Sequence, residues 1–219
     1  MNGFATSVFL TYFPPLLWSA RTTLSVSILA FLFSAPLGLL ITLMRISDFR
    51  LLRLASFLYV DAIRGTPLLL QILIIFYFLP KFGLELSPFQ SGVIALGVNS
   101  SAYQAEILRG GMQSLPRGQI ESARSLGFSY FQCLGRILMP QVIYKILPPL
   151  TNEVSSMIKG SSLVSIIAVV ELTRTGQQIV SVTLHPLEIY MAVALIYLFI
   201  HLIFASLSNA MERYGARYK

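Results

Sequence analysis

Residues 121–140 read ESARSLGFSYFQCLGRILMP, with three charges, two glycines and a closing proline, and no apolar run long enough to cross a bilayer. The rest of the chain is the opposite. Of 219 residues, 55% are hydrophobic and 11% charged, and the mean hydropathy is +0.73, far from the balance of a soluble domain. The composition is that of an integral membrane protein, and this polar island at its centre needs a reason.

A helix needs about 20 mostly apolar residues to cross the hydrocarbon core. Windows of that length fall at residues 22–44, 55–79, 88–108, 141–170 and 187–207, predicting five transmembrane helices in one all-α domain spanning residues 1–219. Residues 4–18 are also apolar, but Pro14 and Pro15 are expected to interrupt them and leave an interfacial lead-in. The first basic residue is Arg21, so the opening MNGFATSVFL lacks the charged n-region of a cleavable signal.

Basic residues set the orientation, because the cytoplasmic side collects them. Arg45, Arg50, Arg53, Arg109, Arg117, Arg124, Arg136, Arg213, Arg217 and Lys219 fall on one side, and Arg21, Lys81 and Arg174 on the other. That distribution places the polar island and the C-terminus in the cytoplasm and the N-terminus outside. The net charge of +7 is scattered rather than blocked, which argues against nucleic acid as a partner. A single cysteine, Cys133, excludes an intrachain disulfide.

Local signals around the island, about residues 114–140, describe two short helices joined in an L. Pro116 suits a first turn. Gly127 suits the left-handed position after a helix end, and Ser129 with Gln132 three residues on fits a capping box. Arg117, Glu121 and Arg124, spaced by four and three, share one charge-paired face.

The pattern Glu121, Ser122, Ala123, three residues, Gly127, nine residues, Ile137, Met139 and Pro140 resembles the cytoplasmic EAA signature of ABC-importer permeases, with Ser122 in place of Ala and Met139 in place of Leu. Arg64-Gly65-Thr66-Pro67-Leu68, Ser101-Ala102-Tyr103 leading to Glu106 and Arg109-Gly110-Gly111, and Glu171-Leu172-Thr173-Arg174 are similar to the polar amino acid permease group, of histidine and glutamine type. The resemblance implies a bacterial inner-membrane subunit that pairs with a second permease, as a homodimer or with a paralogue. It further implies an extracytoplasmic binding protein and two cytoplasmic ATPase subunits, onto which Arg117, Glu121, Ser122, Ala123, Arg124 and Gly127 would dock. The polar island then stays out of the bilayer because it touches a soluble motor. No GxxxxGK[ST] phosphate loop occurs, so ATP and Mg belong to the partner ATPase and this chain carries no cofactor.

Ionisable residues within spans are default candidates for function. Asp61 has Arg64 three residues on, and Glu106 has Arg109, so each can be neutralised within its own helix. Glu153 has no basic residue three or four positions away, and Pro148, Pro149, Gly160, Ser161 and Ser162 make its span irregular, as where discontinuous helices build substrate sites. Glu153, its neighbour Ser156, Asn99, Tyr103 and Asp61 are the candidate substrate contacts, and Glu106 extends the Asn99–Tyr103 stripe that is expected to face the same cavity. Interhelical hydrogen bonding is the competing role for Asn99, Ser100 and Ser101. His185 and His201 lack the partners of a metal or acid–base site and read as structural. The expectation is a permease for polar, above all cationic, amino acids, with glutamine as the alternative. A secondary transporter or channel would show repeat symmetry, and an intramembrane enzyme would need catalytic partners such as a HExxH pair; neither is found.

Overall fold

The computed structural model describes residues 2–114, 118, 122–123, 125–129 and 132–216, and leaves aside the side chains of residues 2–10, 134 and 212–216. Arg117, Glu121 and Arg124 lie outside the described residues. The described chain is helical, in the order α1 (Asn2–Ile46), α2 (Arg50–Arg64), α3 (Leu68–Phe78), α4 (Pro88–Gln113), α5 (Met139–Gly160), α6 (Leu172–Thr183) and α7 (Pro186–Ala216). Residues Thr11–Ile46 and Pro186–Met211 are long and apolar enough to cross a membrane alone, and two bent helix pairs bring the number to four if each is one span.

Two expectations are corrected. Pro14 and Pro15 do not interrupt the N-terminal segment, which continues through them into α1 as a single 45-residue helix. Each proline removes one helical hydrogen bond, but packing holds the turn: Leu16 is fully buried in a cluster with Ile189, Val193 and Ile196 of α7 and Leu172 and Ile179 of α6. Conversely, residues 55–79 are not one straight span. The chain turns by 105° between α2 and the segment from Leu68 onward. Pro67 is extended at φ −62°, ψ 132°, and the residue before a proline is steered from the helical region. Gln71 fastens this corner, its Nε2 donating to Ile63 O at 2.7 Å, to Thr66 O at 3.2 Å and to Thr66 Oγ1 at 2.9 Å.

The centre of the fold is α4. Ser87 and Gln90 form its capping box, with Ser87 N donating to Gln90 Oε1 at 2.9 Å and Gln90 N to Ser87 Oγ at 3.2 Å. Small residues let α1 approach it closely, as at packed membrane helices: a Cβ on Gly97 would overlap the Phe33 ring, and one on Gly38 would stand 3.0 Å from Gln104 Cβ. Val26 and Ala30 of α1, Ile72 of α3, Ala95 and Leu96 of α4 and Met157 of α5 form one core cluster. Leucines and aromatics elsewhere on α1 and α7, such as Trp18, Leu32, Phe199 and Leu202, face outward, as a lipid-exposed surface permits.

Helix α5 runs through Pro148 and Pro149. The expected loosening comes at its far end, where Ser161–Ile167 tightens into a 3-10 turn, Ala168 takes a left-handed φ of 63°, and the chain leaves at 51° into α6. Glu171 caps α6. Wholly buried, it accepts Arg174 N at 2.7 Å, Thr173 N at 2.9 Å and the Tyr197 hydroxyl at 2.9 Å, tying α6 to α7.

A membrane-embedded candidate transport site

Glu153 sits half-buried within the unbroken helix α5, opposite Ser100 near the middle of α4. Ser100 Oγ donates to Glu153 Oε1 at 2.7 Å. Ser100 in turn accepts from Gln104 Nε2 at 3.2 Å, and the same amide reaches Ser34 Oγ on α1. A polar line therefore crosses three helices and ends on the carboxylate. No ion pair joins Glu153 to Lys145 or Lys159 among the described residues; Lys145 Nζ donates to Ser114 O at 3.0 Å, and Lys159 is exposed.

Glu153 lines a cavity of about 330 Å³ with Thr66, Leu68, Leu96, Asn99, Ser100, Tyr103, Ser156 and Met157. Pockets for small molecules begin near this size, apolar walls carrying a few placed polar groups. Four of the sequence candidates, Asn99, Tyr103, Glu153 and Ser156, are thus brought together. Asn99 also has the interhelical role weighed against it, its Nδ2 donating to Gln71 Oε1 at 3.0 Å.

The fifth candidate, Asp61, and the end of the stripe, Glu106, lie elsewhere. Asp61 lines an adjoining cavity of about 430 Å³ with Arg45, Phe57, Val60, Arg64, Gly65 and Tyr103. The expected Asp61–Arg64 pair does not form, because Arg64 turns to Glu106, its Nη1 lying 4.0 Å from Oε2. Glu106 does not face the Glu153 cavity. It pairs with Arg109, Nη2 to Oε2 at 2.6 Å, as its spacing predicts, and also with Arg45 of α1, Nη2 to Oε1 at 3.1 Å. Both extra partners come from distant segments, so spacing alone gave no sign of them. Gln71 and Gln104, polar residues inside apolar runs, carried a signal that sequence reasoning passed over. His201, read as structural, shares a 2.6 Å hydrogen bond with Ser155.

At the polar island, Gly127 takes φ 86° and Phe128 N donates to Ala123 O at 3.1 Å, the long bond of a left-handed helix stop. Ser129 N donates to Gln132 Oε1 at 2.9 Å and Gln132 N to Ser129 Oγ at 3.3 Å, closing the expected capping box. Ser122 is exposed and Ala123 buried. Cys133–Leu138 then winds as a π-helix into α5.

Residues 34–214 match the family described as the binding-protein-dependent transport system inner membrane component. The chain belongs to this family. A relative, the L-cystine transport system permease protein TcyB of Bacillus subtilis, is 40% identical over 209 residues, covering 95% of this chain and 89% of that one. The probable glutamine ABC transporter permease protein GlnM of the same organism is also 40% identical, covering 80% of this chain and 82% of that one. A crystal structure of an amino acid ABC transporter with histidines superposes at a TM-score of 0.88 and 41% identity, covering 93% of this chain and 95% of that one. This permease is accordingly a non-catalytic inner-membrane subunit, and ATP hydrolysis belongs to a separate subunit.

Proposed function

We propose that this permease carries polar amino acids inward, with a preference for cationic ones, and that Glu153 receives the substrate's ammonium or guanidinium group. The observation that carries the reading is a carboxylate with no basic partner among the described residues, held by Ser100 against a cavity of amino-acid size. An unpaired charge within a membrane is costly and persists where it serves a pathway. Asn99, Tyr103 and Ser156 add neutral polar groups around it, and Asp61 offers a second carboxylate in the adjoining cavity. Those neutral groups also suit a carboxamide, which supports glutamine as the alternative, as does the relative named for it.

Residues 1–219 act in this reading as one transmembrane permease domain crossing the bacterial inner membrane five times: α1, the bent α2–α3 pair, α4, α5 with its 3-10 extension, and α7. The N-terminus is outside and the C-terminus cytoplasmic. A second permease, identical or paralogous, completes the pathway, an extracytoplasmic binding protein delivers substrate, and two ATPase subunits hold ATP and Mg. Arg117, Glu121, Ser122, Ala123, Arg124 and Gly127 dock on the ATPase, whose closure moves α5 through the rigid turn at Gly127. The test is ATP-driven uptake of arginine and glutamine by the complex reconstituted with its binding protein. Arginine uptake is expected to exceed glutamine uptake; a complex that moves only glutamine overturns the cationic preference.

A further inference from the structure

Three cavities follow one another along α4. The first holds Glu153 and is walled by Leu96, Asn99, Ser100 and Tyr103; the second meets α4 at Tyr103; the third, of about 460 Å³, meets it at Arg109 and Gln113. At 1.5 Å per residue, the run from Leu96 to Gln113 covers about 25 Å. Each partition between neighbours is an arginine lying over an aromatic ring. Tyr103 divides the first cavity from the second, with Arg64 Cζ 5.3 Å from its ring centroid. Phe57 and Arg45 line both the second and the third, with Arg45 Cζ 5.1 Å from the Phe57 centroid.

Both arginines are drawn to one carboxylate, Glu106, on the α4 turn between the two partitions. Arg109, from one turn further on, anchors that carboxylate with three hydrogen bonds. We propose that Glu106 is the latch of a two-leaf gate on the cytoplasmic half of the permeation path, holding Arg64 against Tyr103 and Arg45 against Phe57 so that the Glu153 cavity is shut off from the inside. The proposal rests on the transport reading above and adds to it a positioning residue that does not itself touch substrate.

The arrangement has the chemistry of a device that opens. A cation over an aromatic face is attracted at little geometric cost, so each leaf can lift and reseat. Glu106 offsets three guanidinium groups that would otherwise repel one another. Arg45 Nη1 is buried with no hydrogen-bond partner among the described residues, so the closed state leaves a donor unsatisfied, a feature that native structures keep where strain or function explains it.

The test reads access to the first cavity and needs no knowledge of the substrate. In the assembled transporter with Cys133→Ala, a reporter Ser156→Cys is labelled with a membrane-impermeant thiol reagent applied from the cytoplasmic side. Glu106→Gln is expected to raise the labelling rate by about tenfold, the effect of losing one charge-assisted interaction. Arg64→Gln should raise it as well, the double substitution should add little, and Glu106→Asp should restore slow labelling. A merely structural role for Glu106 predicts instead a lower melting temperature without rescue by aspartate. Labelling of Glu106→Gln at the parental rate, in a complex that remains assembled, overturns the latch whatever the complex transports. Conversely, faster labelling in a complex that moves no amino acid leaves the gate standing and sinks the transport reading.

Discussion

Ser100 and Glu153, more than fifty residues apart in the chain, meet at 2.7 Å across α4 and α5, with the serine hydroxyl donating. The bond fixes one carboxylate oxygen, and Gln104 behind Ser100 fixes the serine.

Removing the hydroxyl should therefore loosen Glu153 without removing its charge. A neutral hydrogen bond contributes about 1 kcal/mol and one to a charged group somewhat more, so Ser100→Ala is expected to weaken substrate affinity by roughly five- to tenfold. Half-saturation of uptake should rise while the maximal rate and the melting temperature change little. A collapse in stability with unchanged affinity would instead make Ser100 packing glue.

Gly127 tests the polar island. Its φ of 86° is open to glycine and strained for a β-branched residue, and a Cβ there meets no atom of the described residues within 4 Å, so the penalty is conformational. Gly127→Val should re-aim the helix that ends before it. Uptake and substrate-stimulated ATP hydrolysis should fall at least tenfold, the effect of roughly 1.4 kcal/mol of misalignment, while the subunit still inserts. Normal transport by this variant would reduce the segment to a connection.

How far the sequence was legible follows from how local each signal is. Gly127, the Ser129–Gln132 box and the Glu106–Arg109 pair are settled within a few residues, and the structure reproduces them. Glu153 was legible by a local deficit, the want of a basic neighbour, and Ser100 as an interhelical hydrogen-bonding residue, although their pairing with each other was not. Prolines were misread in both directions because a lost N–H tells where a helix is weak, not what the neighbours do about it. At Pro14 and Pro15, packing of Leu16 against α7 carries the helix through. At Pro67, Gln71 satisfies the freed carbonyls of Ile63 and Thr66, and the turn is kept. The Glu106 cluster draws Arg45 and Arg64 from other helices, an arrangement that only the tertiary fold creates.

The orientation drawn from basic residues makes a separate prediction. A cysteine at Lys81, which follows α3 in an exposed 3-10 turn, should react with an impermeant thiol reagent added to intact cells, and one at Lys219 only after the membrane is opened. The reverse pattern would invert the protein and remove the polar island from the ATPase.

The decisive measurement concerns Glu153 itself. Glu153→Gln nearly preserves volume, and the amide oxygen still accepts from Ser100, so the cavity wall is kept while the charge is lost. A hydrogen bond to a charged group is worth about 1.5–3 kcal/mol, and each 1.4 kcal/mol is a factor of ten. Uptake of arginine or lysine should therefore fall roughly ten- to a hundredfold, and glutamine uptake much less, because its carboxamide pairs with a neutral amide nearly as well as with a carboxylate. The rival role is an ion pair with a basic residue of the second permease subunit, since Lys145 bonds to Ser114 within its own chain and Lys159 is exposed. Such a pair would make the substitution lower stability and affect every substrate alike. Uptake of both amino acids measured beside the melting temperature of the detergent-purified complex separates the two: selective loss at constant stability assigns Glu153 to the substrate, whereas equal loss with a lower melting temperature assigns it to the interface.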